Sequence, residues 1–548
     1  MTLELDLGKQ EGISCGDVPA ATTRSSWRAE LHEVLSTPST SSIDPTAYDT
    51  AWAARVPDRH NPDRPAFPDA LDWLLANQHT DGSWGACLHY YHDRLISTLI
   101  GALTLSYWSE RLGSGIWSDR LEAAQRAIWH NLAGLQIDPY DLIGSELILP
   151  TLLDEARSQR LHLPYNSFAK IGRMRQAKLE LIPPELIYTR TVSTIFSAEF
   201  LGNRLDVHRV NGLQDANGSI ASSPSATAYY LLKDPDNLLA RDYLIGVLSR
   251  HGGAAPAVDP IDVFEPAWLL FHAALVWPDS SEVASAIRPH VAALAEEFER
   301  KHGAGYNSYF AVPDLDGTSM VFRVLAWAGL NPDPATLAQF ETDDHFRCFP
   351  YERNPSISAH MHLLDALHAA PRFADRDRMI RKVRGFLERS RTLQTFWFDK
   401  WHASPYYTTA HAVIALRETC CLADDAVYWM VNTQNADGSW GYYETPTAEE
   451  TAYCVQALSA YLRYGTTVDV EETIQRGVDY LIRSAERERV SYTPLWIGKS
   501  LYTPRRVVHA AVLSALAMAE SIGLGQHELT AHRVHLPSRI PARVRVTR

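Results

Sequence analysis

The sequence predicts an all-α protein built from two related helical halves. Three observations carry this. Apolar residues recur at three- and four-residue spacing in stretch after stretch, the period of one helix face. Sustained alternation of apolar and polar residues, the mark of a half-buried strand, is rare. One pattern, Q-x-x-D-G-S-W, occurs at Gln78–Trp84 and again at Gln434–Trp440, each time behind an apolar helix-like stretch and ahead of a glycine. A turn duplicated at such a distance points to repeated helical units.

In chain order, residues 1–25 are polar and aperiodic and read as a tail. Helical spacing then marks Leu71–Ala76, Leu95–Trp108, Ala267–Val276, Met320–Ala328, Ala410–Leu416, Thr451–Leu462 and Val507–Met518. Short runs of Pro, Gly, Asn and Asp separate them, with longer loops at Asn211–Pro224 and Gly252–Asp262. Within Q-x-x-D-G-S-W the Asp-Gly pair suits a tight turn whose glycine takes positive φ. The Gln can bond backbone groups at a helix end, and the Trp covers the turn. The pattern is therefore structural rather than catalytic. From about Gly525 the chain carries Arg533, Arg539, Arg543, Arg545 and Arg548 with Pro537 and Pro541, and reads as a basic, extended, solvated tail.

Composition bounds the function. Of 548 residues, 46% are apolar and 21% charged, so a large core is expected and a wholly disordered chain is excluded. A net charge of −14 argues against nucleic acid, whose binding needs Lys and Arg on phosphates. The six cysteines have neither disulfide-framework nor metal spacing, which fits a reduced cytoplasmic setting. There is no basic start followed by an apolar block, and no run of the roughly 18–20 apolar residues that a spanning helix needs. The 15 Trp and 24 Tyr suggest an aromatic-lined cavity.

The segment Val312–Met320 carries the sharpest chemical signal. Asp314 and Asp316 follow Pro313 at the entrance to the apolar helix Val321–Leu330. One reading is helix capping. A calcium loop fits poorly, because glycine stands at the fourth position rather than the sixth and no Glu is at the twelfth. The third reading is a paired-carboxylate acid, one pKa raised by burial and by its neighbour's charge.

Here Asp314-Leu315-Asp316-Gly317-Thr318 resembles the D-x-D-D-T signature of the class II terpene cyclases, with Gly317 in place of the last Asp. Other segments resemble the family in order: Ser42–Trp52 (S-x-Y-D-T-A-W), Gly144–Leu153 (G-F-E-x-x-x-P-x-L), Asn217–Ala228 (D/N-G-S…S-P-S-x-x-A), Asp262–Glu265 (D-x-F-E) and Leu495–Tyr502 (V-W-I-G-K-T-L-Y). Asp399–His411 is similar to bacterial diterpene members. The resemblance covers roughly residues 42–520.

It implies two α/α-barrel domains with the active cavity between them. The acid-bearing domain would take residues 26–58 plus 265–524, and the inserted domain residues 59–264. The implied activity is protonation of the terminal C=C of a linear prenyl diphosphate, cyclisation to a bicycle, and retention of the diphosphate. Asp316 is then the general acid, Asp314 tunes it, and Thr318 adds a hydroxyl. His360 would hydrogen-bond Asp316, the alternative being a core histidine satisfied by backbone. Trp52, Phe264, Trp268, Trp397, Trp401, Tyr406 and Tyr407 are candidates to face the carbocations, with Tyr502 beside them. His251 would hold a quenching water, and Lys499 would bind the diphosphate. Mg²⁺ is expected on Asp138, Asp141 and Glu146, although the family's usual run of acids is thinned here.

The favoured substrate is geranylgeranyl diphosphate. The runner-up is farnesyl diphosphate, giving a drimenyl skeleton. A class I synthase fails on motif: neither Asp343-Asp344-His345-Phe346-Arg347 nor Asp424-Asp425-Ala426-Val427-Tyr428 is D-D-x-x-D. A glycosidase on an α/α barrel and a non-catalytic prenyl-binding scaffold are readings of other classes. The oligomeric state is open, with a homodimer entertained.

Overall fold

The computed structural model describes residues 26–39, 41–113, 115–416, 420–464, 467–485 and 492–524; the expected tails lie outside these. The described residues are mainly α-helical, with one short hairpin pairing Trp496–Ile497 with Leu501–Tyr502. No described helix is long and apolar enough to cross a membrane.

Helix composition decides layer. Every residue of Pro405–Ala415 is buried, so that helix must have neighbours on all sides. Arg376–Arg389 buries only Met379, Val383 and Leu387, one stripe at fourfold spacing, and so lies outside with one face inward. Sorting the helices by contact gives two closed rings. The first runs Phe264–Val276, Leu315–Trp327, Ile357–Ala369, Pro405–Ala415, Ala448–Arg463, Arg505–Ser521 and back to Phe264–Val276. Its outer layer includes Trp27–Ser36, Ala284–Lys301, Arg376–Arg389, Cys420–Thr433 and Glu471–Ala485. The second ring runs Ala47–Ala54, Tyr91–Leu112, Ser145–Ser158, the broken 3₁₀ segment Ser193–Arg204 and Pro224–Lys233, closing on Ala47–Ala54. This is the two-barrel architecture expected, with one correction. Ala47–Ala54, wholly buried, is an inner stave of the second barrel, so the chain leaves the first core near Ile43, ahead of the boundary expected at 58.

The repeated turns staple outer helices to inner ones. The Trp84 indole donates to Leu74 O (2.7 Å) and its amide to Thr98 Oγ1 (3.0 Å). Trp440 repeats this on Met430 O (2.8 Å) and Thr451 Oγ1 (3.0 Å). Gln78 and Gln434 each bond the carbonyl of their turn glycine, Gly82 and Gly438, at 3.0 Å. Both glycines have positive φ, and a Cβ at Gly438 would come within 2.2 Å of Arg476 O. Two degenerate copies share the wiring. Gln214 bonds Gly218 O (2.8 Å), with Ile220 in the Trp place. Trp397 donates to Leu387 O (2.8 Å) and Thr409 Oγ1 (3.1 Å) without the preceding motif. Trp397 is thus a staple and does not line the cavity. Trp397→Phe, which loses the indole N–H and part of a fully buried ring, is expected to cost about 2–4 kcal/mol of stability in denaturant unfolding.

Candidate active site

The acid segment is built from the backbone outward. Asp314 caps Leu315–Trp327, its Oδ1 accepting from Gly317 N at 2.7 Å. A Cβ at Gly317 would lie 3.2 Å from Ala304 O and 3.3 Å from both Asp314 Oδ1 and Gly305 O. A side chain here would press on three oxygens, which glycine leaves undisturbed. Thr318 Oγ1 donates to Ala304 O (3.1 Å) and accepts from Ala304 N (2.9 Å), which makes it a buried tie to the preceding loop.

Asp316 stands in the first turn of the same helix, where the helix dipole favours a carboxylate. Its Oδ1 meets His362 Nδ1 at 2.5 Å, and His362 Nε2 meets His411 Nδ1 at 2.8 Å. Three successive staves of the first barrel thus supply Asp316, His362 and His411. His360 does not reach Asp316. Its Nδ1 donates to Ser356 O (2.5 Å), its Nε2 accepts from Phe346 N (3.0 Å), and its ring stacks on Phe386. Residues two apart on a helix sit about 200° apart, so with His360 turned to backbone it is His362 that faces the acid. Burial pushes His360 down to about 4.

Burial, and then the charge of Asp316, push the Asp314 carboxyl up to about 8. The folded pair therefore holds a proton that an unfolded Asp, with its ordinary value of 3.8, releases. The associated stability is present at low pH and is lost as pH rises towards 8. Asp314→Asn, which keeps the helix cap, is expected to flatten that slope in melting temperature across about pH 5 to 8.

Asp314 and Asp316 open on a cavity between the two barrels, of about 250 Å³. Its walls include Phe264, Trp268, Tyr306, Trp401, Trp496 and Tyr502. Phe264 lies parallel to Tyr306 at 4.8 Å, and Tyr306 and Tyr502 share a hydroxyl hydrogen bond of 2.9 Å. The hairpin explains part of this wall, for its strands present Trp496, Ile497 and Tyr502 to the cavity. The same cavity carries Lys178, Arg353 and Lys400, interleaved with Asp141, Glu146 and Glu352. Arg353 pairs with Asp141, Lys400 Nζ bonds Glu352 Oε2 and Asn354 O at 2.6 Å, and Lys178 Nζ bonds Tyr351 O at 2.6 Å.

The comparisons now bear on this geometry. The family "Squalene-hopene cyclase C-terminal domain" matches residues 353–496. The solved ent-copalyl diphosphate synthase from Streptomyces platensis superposes with a TM-score of 0.70 at 29% identity, over 90% of this chain and 99% of that one. An ent-copalyl diphosphate synthase of Streptomyces sp. (strain KO-3988) is 31% identical over 482 residues, 84% of this chain and 90% of its own. A type B diterpene cyclase of Mycobacterium tuberculosis is 36% identical over 491 residues, 87% of this chain and 96% of its own. The chain belongs to the class II terpene cyclases.

Class II cyclases act by protonation, and the cyclase gathers some expected residues at its cavity and sends others elsewhere. Asp314, Asp316, Phe264, Trp268, Trp401, Tyr502, Asp141 and Glu146 line it. Tyr407 stands one layer back, its hydroxyl accepting from the Trp268 indole at 3.3 Å. Tyr406 stacks on Trp429, and Trp52 packs edge-on against Tyr229 in the second core. His251 is held by Asp259 at 3.2 Å, off the cavity wall. Lys499 is fully buried at 2.7 Å from each of Glu199 Oε1, Ser223 Oγ and Ser225 Oγ, so it joins the hairpin to the second barrel and faces no cavity.

The expected Mg²⁺ ligands do not form a set. Asp138 accepts from both the backbone N and Nδ1 of His92 at 2.8 Å, and Asp141 is committed to Arg353. Among the described residues no group of three His, Cys, Asp or Glu is placed to hold a metal. The residues that sequence reasoning missed are His362, His411, Tyr306, Trp496, Lys178, Arg353 and Lys400. Lys400 and His411 lie within Asp399–His411, and His362 is two places from His360.

Proposed function

We propose that this cyclase converts geranylgeranyl diphosphate to a bicyclic prenyl diphosphate. The observation that carries the reading is a single cavity furnished with a proton-holding carboxyl pair, an aromatic wall and three cationic side chains. Asp316, the more exposed of the pair, takes the proton that the two carboxyls share and delivers it to the terminal C=C. Its O–H bond breaks, a C–H bond forms, and the neighbouring alkene carbon becomes cationic. The carboxylate left behind accepts from His362 Nδ1–H and sits at a helix N-terminus. Two ring closures follow as successive C=C bonds attack the cation. Faces such as Trp268, Phe264 and Trp496 each stabilise positive charge by roughly 0.5–2 kcal/mol. A water takes a C–H proton to end the sequence, solvent returns a proton to Asp316, and the C–O bond to the diphosphate stays intact. Lys178, Arg353 and Lys400 hold the diphosphate by exchanging their carboxylate and carbonyl partners for phosphate oxygens.

The test is incubation of the purified protein with farnesyl and geranylgeranyl diphosphates, with and without Mg²⁺. Products are dephosphorylated and separated by gas chromatography with mass detection. A bicyclic alcohol from the C20 substrate supports the reading. One only from the C15 substrate replaces the chain length, and none from either overturns the proposal.

A further inference from the structure

The acid does not end at His362. His411, on the next stave, is buried, and its Nε2 has no hydrogen-bond partner. The ring stacks on Phe271 (5.0 Å between centroids) and lies against Tyr407 (4.4 Å) and Tyr453 (5.9 Å). The titratable groups facing it are His362, His272, His402 and these two tyrosines. Burial, and then His362, hold His411 well below the ordinary histidine range, so it is neutral and carries one ring proton.

With Asp316 protonated or accepting, the arrangements differ in whether His411 keeps its proton on Nε2 or on Nδ1; a doubly protonated His362 donating to both neighbours belongs with the first. In one, Asp316 O–H donates to His362 Nδ1, His362 Nε2–H donates to His411 Nδ1, and His411 is left with an Nε2–H donor and nothing to receive it. In the other, His411 Nδ1–H donates to His362 Nε2 and His362 Nδ1–H donates to Asp316 Oδ1, leaving only a bare His411 lone pair in the aromatic cage. Orphaned buried N–H groups are rarer in folded proteins than under-satisfied acceptors, so the second chain prevails.

We infer that His411 is a positioning residue that locks the tautomer of His362, so that Asp316 Oδ1 always accepts and the acid proton is confined to Oδ2. The inference rests on the protonation role proposed for Asp316. Without the lock, the acid proton could be parked on His362 Nδ1, away from the alkene. His411 touches neither substrate nor reacting atoms; it acts through His362.

The test has two arms on the full-length protein. Histidine-labelled protein is examined by long-range ¹H–¹⁵N NMR, with His362 assigned by the signals lost in His362→Gln. The expected state is Nδ1 protonated and Nε2 bare, and His411→Phe should abolish that preference. A His362 bearing its proton on Nε2 in the unaltered protein overturns the inference. This arm needs no turnover, so it can fail or succeed separately from the cyclase reading. In the kinetic arm, His411→Phe should lower kcat about tenfold or more with KM within about twofold. His411→Asn, which restores an N–H donor near the Nδ1 position, should recover most of the loss. Equal losses in both variants, or none in His411→Phe, overturn it.

Discussion

Asp316→Asn is expected to lower kcat by about 10³-fold or more, near the upper part of the range for a general acid. An alkene is a very weak base, and water does not protonate it at neutral pH at any useful rate. In the proposed mechanism the carboxyl proton is therefore what starts the first step. The amide preserves nearly everything else. Its carbonyl oxygen still accepts from His362 Nδ1, and Asp314 still caps the helix. The melting temperature should stay within about 2 °C of the parent, and KM should change little because the side chains proposed to hold the diphosphate are other ones. Single-turnover formation of the cyclised diphosphate, read as the alcohol after dephosphorylation, is the measurement. Activity within tenfold of the parent would move the acid away from Asp316, with Asp314 the first alternative.

Lys499→Met should have its large effect on stability, with KM unchanged. The ammonium is surrounded by Glu199, Ser223 and Ser225, and Glu199 also accepts from Tyr48 OH at 2.9 Å. Removing the cation leaves a buried carboxylate unpaired. Breaking a buried ion pair from one side costs about 3–5 kcal/mol. Adding Glu199→Gln should recover a good part of that loss by removing the stranded charge. Urea unfolding of the two single variants and the double one closes the cycle. If Lys499→Met instead raised KM tenfold at unchanged stability, the diphosphate would belong on Lys499.

The helical class, the duplicated turn and the acid segment were legible because each is local. Apolar spacing fixes a helix face, and Gly82 and Gly438 must be glycine for their φ. What was not legible is rotational phase. His360 and His362 are both buried on one short helix, and nothing in Ser356–His362 says which side meets the neighbouring stave. Trp397 and Trp401 repeat the problem: one is a staple and the other lines the cavity, four residues apart. Lys499 misled because its motif is a hairpin, and the hairpin turns its lysine away from the wall that Trp496 and Tyr502 form. The cations Lys178 and Arg353 come from different barrels and meet only once the rings are docked.

The nesting of the rings has a consequence for synthesis on the ribosome. Every stave of the second barrel lies between Ala47 and Lys233, so its closing contacts can form while much of the chain has yet to emerge. The first barrel cannot close until Arg505–Ser521 appears. That helix completes the inner ring, and its Arg506 bonds the carbonyls of Val34, Thr37 and Pro38 at 2.8 Å. The earliest segment described can meet Phe264–Val276 and Ala284–Lys301 sooner, but its set of partners is complete only with the last helix. Until then Leu31 and Leu35, fully buried in the finished protein, lack the part of their cover that this helix supplies. The nascent chain thus passes through a long interval with one finished barrel and one apolar, half-built one, the state in which chaperone binding and aggregation compete.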